Sequence, residues 1–263
     1  MRRRPAVLVV LLVALVGCAE LRARFPSPDV VFIATPEDVG VEMLRLAAVR
    51  ADDVVFDLGS GDGRVVIAAA REFGARGVGV DIDAGLVAAS RAAARVAGVA
   101  DRTTFLHQDL FVTALHTASV VTLYLRDDVN LRLRPTLLGD LAPGSRVVSH
   151  DFDMGDWRPD RTQRVRGPHR DHRLHLWIIP ARVAGIWRMR LDGREALLNL
   201  TQRFQTVGGT LALDGRERTI TDGRIAGDRI AFTTGTVAFR GLVTADVLEG
   251  RAGELGWTAR RVR

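Results

Sequence analysis

One stretch, Asp57-Leu58-Gly59-Ser60-Gly61-Asp62-Gly63, constrains this chain more than any other, because it joins a short β-branched apolar run to a helical one. Val54 to Leu58 reads as a buried strand, and Arg64 to Phe73 carries helical spacing. Glycines at the junction let the backbone turn sharply and approach a ligand, while the start of the helix offers unpaired N–H groups. A dinucleotide site would carry a third glycine one place later, where this chain has Arg64, so the spacing is G-x-G-x-G. Phosphate binding is disfavoured by that spacing. A plain strand-to-helix turn remains the alternative reading of the loop taken alone.

The neighbouring acidic residues narrow the choice. A second strand, Gly77 to Val80, ends on Asp81, placed to accept from both hydroxyls of a ribose. A helix cap is its bland alternative, but Asp83 suits that role better, ahead of an alanine-rich helix that Gly98 terminates. Asp109 follows a third strand, Thr104 to Leu106, where it can receive an adenine amino group with Leu110 or Phe111 over the ring; a surface turn is its alternative. Three carboxylates at successive strand ends mark one ligand edge of an open α/β sheet. Further strands are expected at Ser119 to Leu125, Arg146 to Ser149 and Leu174 to Ile179, with a helix before residue 146 that Pro135 divides. Thr35 is read as the cap of an earlier helix with Pro36 in its first turn. From Trp187 onward, short alternating runs such as Thr210 to Leu213, Arg229 to Thr233 and Val237 to Thr244 are punctuated by Asp-Gly turns, which predicts an antiparallel meander or small barrel.

Composition excludes several chemistries. All 37 basic residues are arginine, so no Schiff-base, P-loop or other lysine can act, and the arginines are scattered rather than clustered as a nucleic-acid footprint. Cys18 is the single cysteine, which rules out a disulfide framework and a cysteine metal site. It follows Arg2, Arg3, Arg4 and an apolar run from Ala6 to Gly17, the order of a secretory signal, and Leu15-Val16-Gly17-Cys18 resembles a bacterial lipobox. Residues 1–19 are thus expected to be an anchor, placing the protein at a membrane of unresolved side, ahead of an α/β domain over residues 20–183 and a β-rich module over residues 184–263.

With its glycine-rich first motif, acidic second-strand end and third-strand Asp in that order, the chain resembles class I S-adenosylmethionine-dependent methyltransferases over residues 35 to 180. More narrowly, Thr35-Pro36-Glu37, Asp57 to Arg64, Val121 to Leu125 and Val147 to Phe152 resemble archaeal broad-specificity protein lysine methyltransferases and their mitochondrial relatives that modify an ATP synthase subunit. Val31-Phe32-Ile33-Ala34 departs from the Tyr-Val-Pro run of those families, and they lack the β-rich tail. The resemblance implies a seven-stranded Rossmann-like sheet, S-adenosyl-L-methionine as methyl donor, and a lysine amine of a protein as acceptor. Gly59, Gly61 and Gly63 would shape the methionine pocket, Asp57 would orient the donor's amino end, and Asp81 and Asp109 would fix ribose and adenine. On the acceptor side Tyr124 and His150 end the fourth and fifth strands, with Trp157 as a second wall; Tyr124 would face the cation and His150 take its proton. Half-buried core is the alternative for Tyr124, and a satisfied strand-end residue is the alternative for His150.

No metal is assigned. His150 and Asp151 would point to opposite faces of a strand, and His169, His172 and His175 read as an exposed polar loop running into the next strand. Competing readings are a non-catalytic nucleoside-binding protein and a methyltransferase acting on a small molecule or lipid. A nicotinamide oxidoreductase is disfavoured by the glycine spacing.

Overall fold

The computed structural model describes residues 34–167 and 169–262. The segment read as an anchor lies outside them, and no helix among the described residues is long and apolar enough to cross a membrane.

Seven strands form the first sheet: β1 (Val54–Leu58), β2 (Arg76–Asp81), β3 (Thr103–His107), β4 (Val120–Leu123), β5 (Arg146–His150), β6 (Arg161–Arg166) and β7 (Asp171–Ile178). Their order is β3-β2-β1-β4-β5-β7-β6. The strands from β1 to β5 run parallel, while β7 is antiparallel to both β5 and β6. Such parallel strands must be covered on both faces, and the continuous apolar runs Val54 to Phe56 and Val120 to Val121 supply the required residues. Between β1 and β4 the strand order reverses, which opens a crevice at the strands' carboxyl ends.

Helices α1 (Glu37–Leu46), α2 (Arg64–Phe73), α3 (Ala84–Val96) and α4 (Asp127–Asp140) cover the sheet. Val39, Met43 and Leu44 of α1 join Val65 and Ala69 of α2 against Val55, Val120 and Val148, whereas Leu133 and Leu137 of α4 cover the opposite face with Leu115, Trp157 and Trp177. Each such leucine or valine contributes roughly 1.5 to 3 kcal/mol by leaving water.

Several local expectations are corrected. Pro36, not Thr35, stands at the N-cap of α1, and no side chain caps that end. Pro135 does not divide its helix, since α4 runs unbroken through it. Both Pro135 and Leu131, whose carbonyl loses its partner, are exposed, so water can satisfy that group. The stretch after β5 holds a strand, β6, that polar alternation concealed. His172 and His175 lie on β7 and are buried rather than in an exposed loop; only His169 precedes the strand.

The second sheet is a closed antiparallel barrel of β8 (Gly185–Leu191), β9 (Arg194–Arg203), β10 (Thr206–Leu213), β11 (Arg216–Ala226), β12 (Arg229–Thr234), β13 (Val237–Thr244), β14 (Val247–Ala252) and β15 (Leu255–Arg261). Closure pairs β15 with β8 and so removes both edges. Its interior is filled: Phe232 and Phe239 stack with centroids 4.8 Å apart, and Trp257 meets both edge-on. Asp192-Gly193 and Asp214-Gly215, each with both φ positive, make the tight hairpin turns the sequence announced.

Candidate active site

The loop between β1 and α2 is drawn onto the end of β2 by backbone bonds from Gly59 (2.8 Å) and Ser60 (3.0 Å) to the Val80 carbonyl. Gly61 donates its N–H to Asp81 Oδ2 at 2.8 Å, and Asp83 N–H donates to Asp81 Oδ1 at 2.9 Å. Asp81 therefore holds the loop and keeps a second lone pair on each oxygen for a ligand. The capping work falls to Asp83, which accepts from Gly85 and Leu86 at the start of α3. Asp109 accepts from Phe111 N–H at 2.8 Å through Oδ1, opening a single 3-10 turn over Leu110–Val112. The Arg132 guanidinium stands 3.8 Å from the centre of the Phe111 ring.

Gly59, Gly61 and Gly63 all have positive φ. The last is demanded by packing, since a Cβ on Gly63 would lie 2.6 Å from the Phe105 ring and 2.8 Å from Ser90. The absence of a side chain there lets α2 start close over the sheet.

Asp57 is buried and accepts from Thr122 Oγ1 at 2.7 Å. Burial pushes its carboxyl up to about 7, opposed by the Thr122 hydroxyl and reinforced by Asp81 and Asp62. A carboxylate so disfavoured by its surroundings is matched to a cationic ligand group, such as an α-ammonium. Carboxylates with spare acceptor capacity at the ends of β1, β2 and β3, around a glycine turn at a helix start, fit an amino-acid-bearing nucleoside.

Across the crevice stands Tyr124, the chain's one tyrosine, just past β4. Its ring stacks on His150 with centroids 3.9 Å apart and planes 22° from parallel. His150 itself is fully buried. Its Nδ1 lies 3.1 Å from Thr35 Oγ1 and its Nε2 lies 2.7 Å from His172 Nδ1. Burial, opposed by Asp151 and assisted by His172 and Arg170, lowers its pKa to about 4, which keeps the ring neutral. His150 is therefore a support beneath Tyr124 and not a proton acceptor in the open mouth. Trp157 is also displaced from its expected place: fully buried, it packs against Trp177 and stacks on Phe204 of the barrel at 5.7 Å. Its apolar ring gains more there, between sheet and barrel, than at an exposed wall.

Alternation also fails just after His150. Asp151 has φ 63°, a left-handed conformation that turns its carboxylate back to within 3.4 Å of His150 Nε2. His150, Asp151 and His172 consequently converge, with ligand-type atoms all within 4.8 Å of one another. The 2.7 Å between the two imidazole nitrogens is a hydrogen-bond length, below the about 3.3 Å that a tetrahedral ion imposes on neighbouring ligands. Asp151 is occupied by Arg170 Nη2 at 2.5 Å.

The sequence reading missed Thr35, Thr122, Asp151, Arg170 and His172. Thr35 had a visible signal in its Thr-Pro pair: its carbonyl accepts from Arg64 Nη1 at 3.0 Å, so the entry to α1 ties the glycine loop to the end of β5. The others depend on contacts between distant strands.

A family model described as the ANTKMT methyltransferase domain matches residues 57–161. A protein-lysine N-methyltransferase of Saccharolobus islandicus is 38% identical over 58% of this chain and 95% of its own length. An adenine nucleotide translocase lysine N-methyltransferase of Mus musculus is 36% identical over 39% of this chain, which spans only 45% of that relative. Among solved structures, an RNA methyltransferase from Salinibacter ruber in complex with S-adenosyl-L-homocysteine is 52% identical, with a TM-score of 0.55 over 57% of this chain and 96% of that one. The barrel lies beyond the residues matched by the family model, and the crevice of Asp57, Asp81 and Asp109 falls within them. This chain belongs to the family of S-adenosylmethionine-dependent methyltransferases that includes the Saccharolobus islandicus enzyme.

Proposed function

We propose that the enzyme methylates the ε-amino group of lysine side chains in proteins. The observation that carries this reading is the mouth opposite the donor crevice, where an aromatic ring, Tyr124, stands beside the carboxylate of Asp151, a pair suited to a cationic head group. The name of the Saccharolobus islandicus relative, similar over nearly its whole length, supports the same acceptor. Bound S-adenosylmethionine supplies an electrophilic methyl carbon on a sulfonium. The chain's own residues would hold it: Asp57 at the amino end, Asp81 at the ribose hydroxyls, and Asp109 at the adenine amino group. Tyr124, held flat by His150, would orient the acceptor nitrogen and exclude water from one side of it. The acceptor's proton passes to solvent at the mouth, since both nitrogens of His150 are engaged.

The test is incubation of the purified enzyme with labelled donor, a mixture of proteins, total RNA and extracted lipids, with the label located by mass spectrometry. This chain contains no lysine, so any labelled lysine belongs to an acceptor. Label on lysine that falls at least tenfold in Tyr124→Ala, with S-adenosylhomocysteine affinity retained, is the expected outcome. Label confined to RNA, the acceptor class in the name of the Salinibacter ruber relative, or to lipid, would overturn the lysine reading. Residues 1–19 act in this proposal as a membrane anchor, which fractionation of the full chain against a chain starting at residue 20 tests.

A further inference from the structure

Asp151 stands at the acceptor edge in the left-handed region, with φ 63°, which Asp and Asn enter more readily than other non-glycine residues. Here Arg173 N–H donates to Asp151 Oδ1 at 2.8 Å, and Asp151 N–H donates to the Arg173 carbonyl at 2.6 Å. The effect is to hold one carboxylate oxygen, Oδ2, at the mouth beside the Tyr124–His150 stack. Partial burial alone would push this carboxyl up, yet hydrogen bonds from Arg170 and the Arg173 backbone, with the charge of Arg170, hold it below the ordinary range. It is an ionised group kept for a cation.

The cation now in place comes from the chain itself. Arg170 sits on the short connection from β6 to β7, with about half its side chain exposed (52%). Its Nη2 lies 2.5 Å from Asp151 Oδ2 and 3.4 Å from the Tyr124 hydroxyl, so it touches the same carboxylate and aromatic pair that suits an acceptor ammonium. Its other hydrogen bond goes to the carbonyl of the adjacent Asp171, at 3.2 Å. Swinging that guanidinium into water leaves no group unpaired, provided another cation takes its place beside Asp151.

We propose that Asp151 is the anchor for the acceptor's cationic head and that Arg170 is its placeholder, displaced when the acceptor enters. This rests on the lysine reading above. Lysine arrives from water as an ammonium, and an exchange of one cation for another spares Asp151 the penalty of standing unpaired. A competitor within the chain also weakens apparent acceptor affinity by the fraction of sites it occupies.

Binding and turnover test the two ideas separately. n-Butylammonium, a mimic of the lysine side chain, is titrated into the full chain saturated with S-adenosylhomocysteine, followed by calorimetry or by Tyr124 resonances. Arg170→Ala should tighten it three- to tenfold, Arg170→Lys should stay near the parent value, and Asp151→Asn, which tolerates the left-handed backbone, should weaken it at least tenfold. The acceptor KM for poly-L-lysine should move in the same directions while the donor KM stays fixed. Weaker butylammonium binding in Arg170→Ala, or unchanged binding in Asp151→Asn, overturns the anchor and its placeholder. Arg170 is on an exposed loop, so its variant remains informative if Asp151→Asn does not fold. Butylammonium binding that follows the expected pattern, with no label on any lysine, would instead sink the lysine reading alone.

Discussion

At Asp57, burial makes the charged form costly, and the proposed role of that carboxylate is to meet the amino end of the donor. The Asp57 carboxyl titrates near 7 in the folded chain against an ordinary 3.8, so between about 4 and 7 the folded state holds a proton that the unfolded state has released. Stability attributable to Asp57 is therefore full below about pH 4 and is lost as pH rises to about 7, by about 4 kcal/mol in all. Asp57→Asn keeps an acceptor for the Thr122 hydroxyl and removes the buried charge. In urea unfolding it should gain on the parent by about 1.4 kcal/mol per pH unit across that window, while its S-adenosylhomocysteine affinity falls at least tenfold at pH 8. A variant no more stable than the parent at pH 8 would show that burial does not disfavour the Asp57 charge. Asp81→Ala should weaken the same ligand by about 1.5 to 3 kcal/mol in calorimetry, because the Gly61 N–H loses its acceptor and, in the proposed binding mode, the ribose would lose one too. These carboxylates were legible because each ends a strand beside a glycine or cap signal that survives in one dimension. Asp151 was not, because one left-handed residue reverses the direction that alternation assigns to its side chain.

Elements were legible where period and punctuation agree. The runs at 54–58 and 64–73, and the cap and stop of α3 at Asp83 and Gly98, follow the pattern of their residues. Where the reading failed, a tertiary contact outweighed a local rule: Thr35 gives up capping α1 to bond His150, and β6 is polar along most of its length because its Val165 alone packs well into the core. Glycines that share a positive φ also divide by surroundings. Gly63 faces Phe105 and Ser90, whereas Gly98 has nothing within 4 Å of a would-be Cβ. Gly63→Ala should therefore cost about 2 to 5 kcal/mol in urea unfolding, backbone strain plus overpacking, against about 1 to 2 kcal/mol for Gly98→Ala. Equal costs would mean that the loop, not α2's approach to the sheet, sets the glycine.

At the scale of the whole molecule, the second sheet begins at Gly185, and a domain boundary near residue 184 is the proposal that the last prediction tests. Closure of the barrel could not be read from the sequence, because a meander and a barrel share the same alternation and differ only in whether β15 meets β8. Nor could its seat. Phe204, with Arg134 at 5.3 Å from its ring, covers Trp157; Arg203 and Arg224 reach Asp156 (2.7 Å) and Asp160 (3.0 Å); and Ala181 N–H donates to the Gly227 carbonyl at 2.7 Å. Most of those polar contacts are exposed and worth little individually, so the ring stack is the main apolar tie. None of them touches Asp57, Asp81 or Asp109. A chain ending at residue 184 should thus keep S-adenosylhomocysteine affinity within about threefold while melting at a lower temperature, and its tryptophan emission should shift to the red as Trp157 loses the Phe204 ring. Failure of that chain to fold would mean that sheet and barrel form one cooperative unit, with the Trp157–Phe204 stack as its link; Phe204→Ala in the intact chain would then lower the melting temperature of both together.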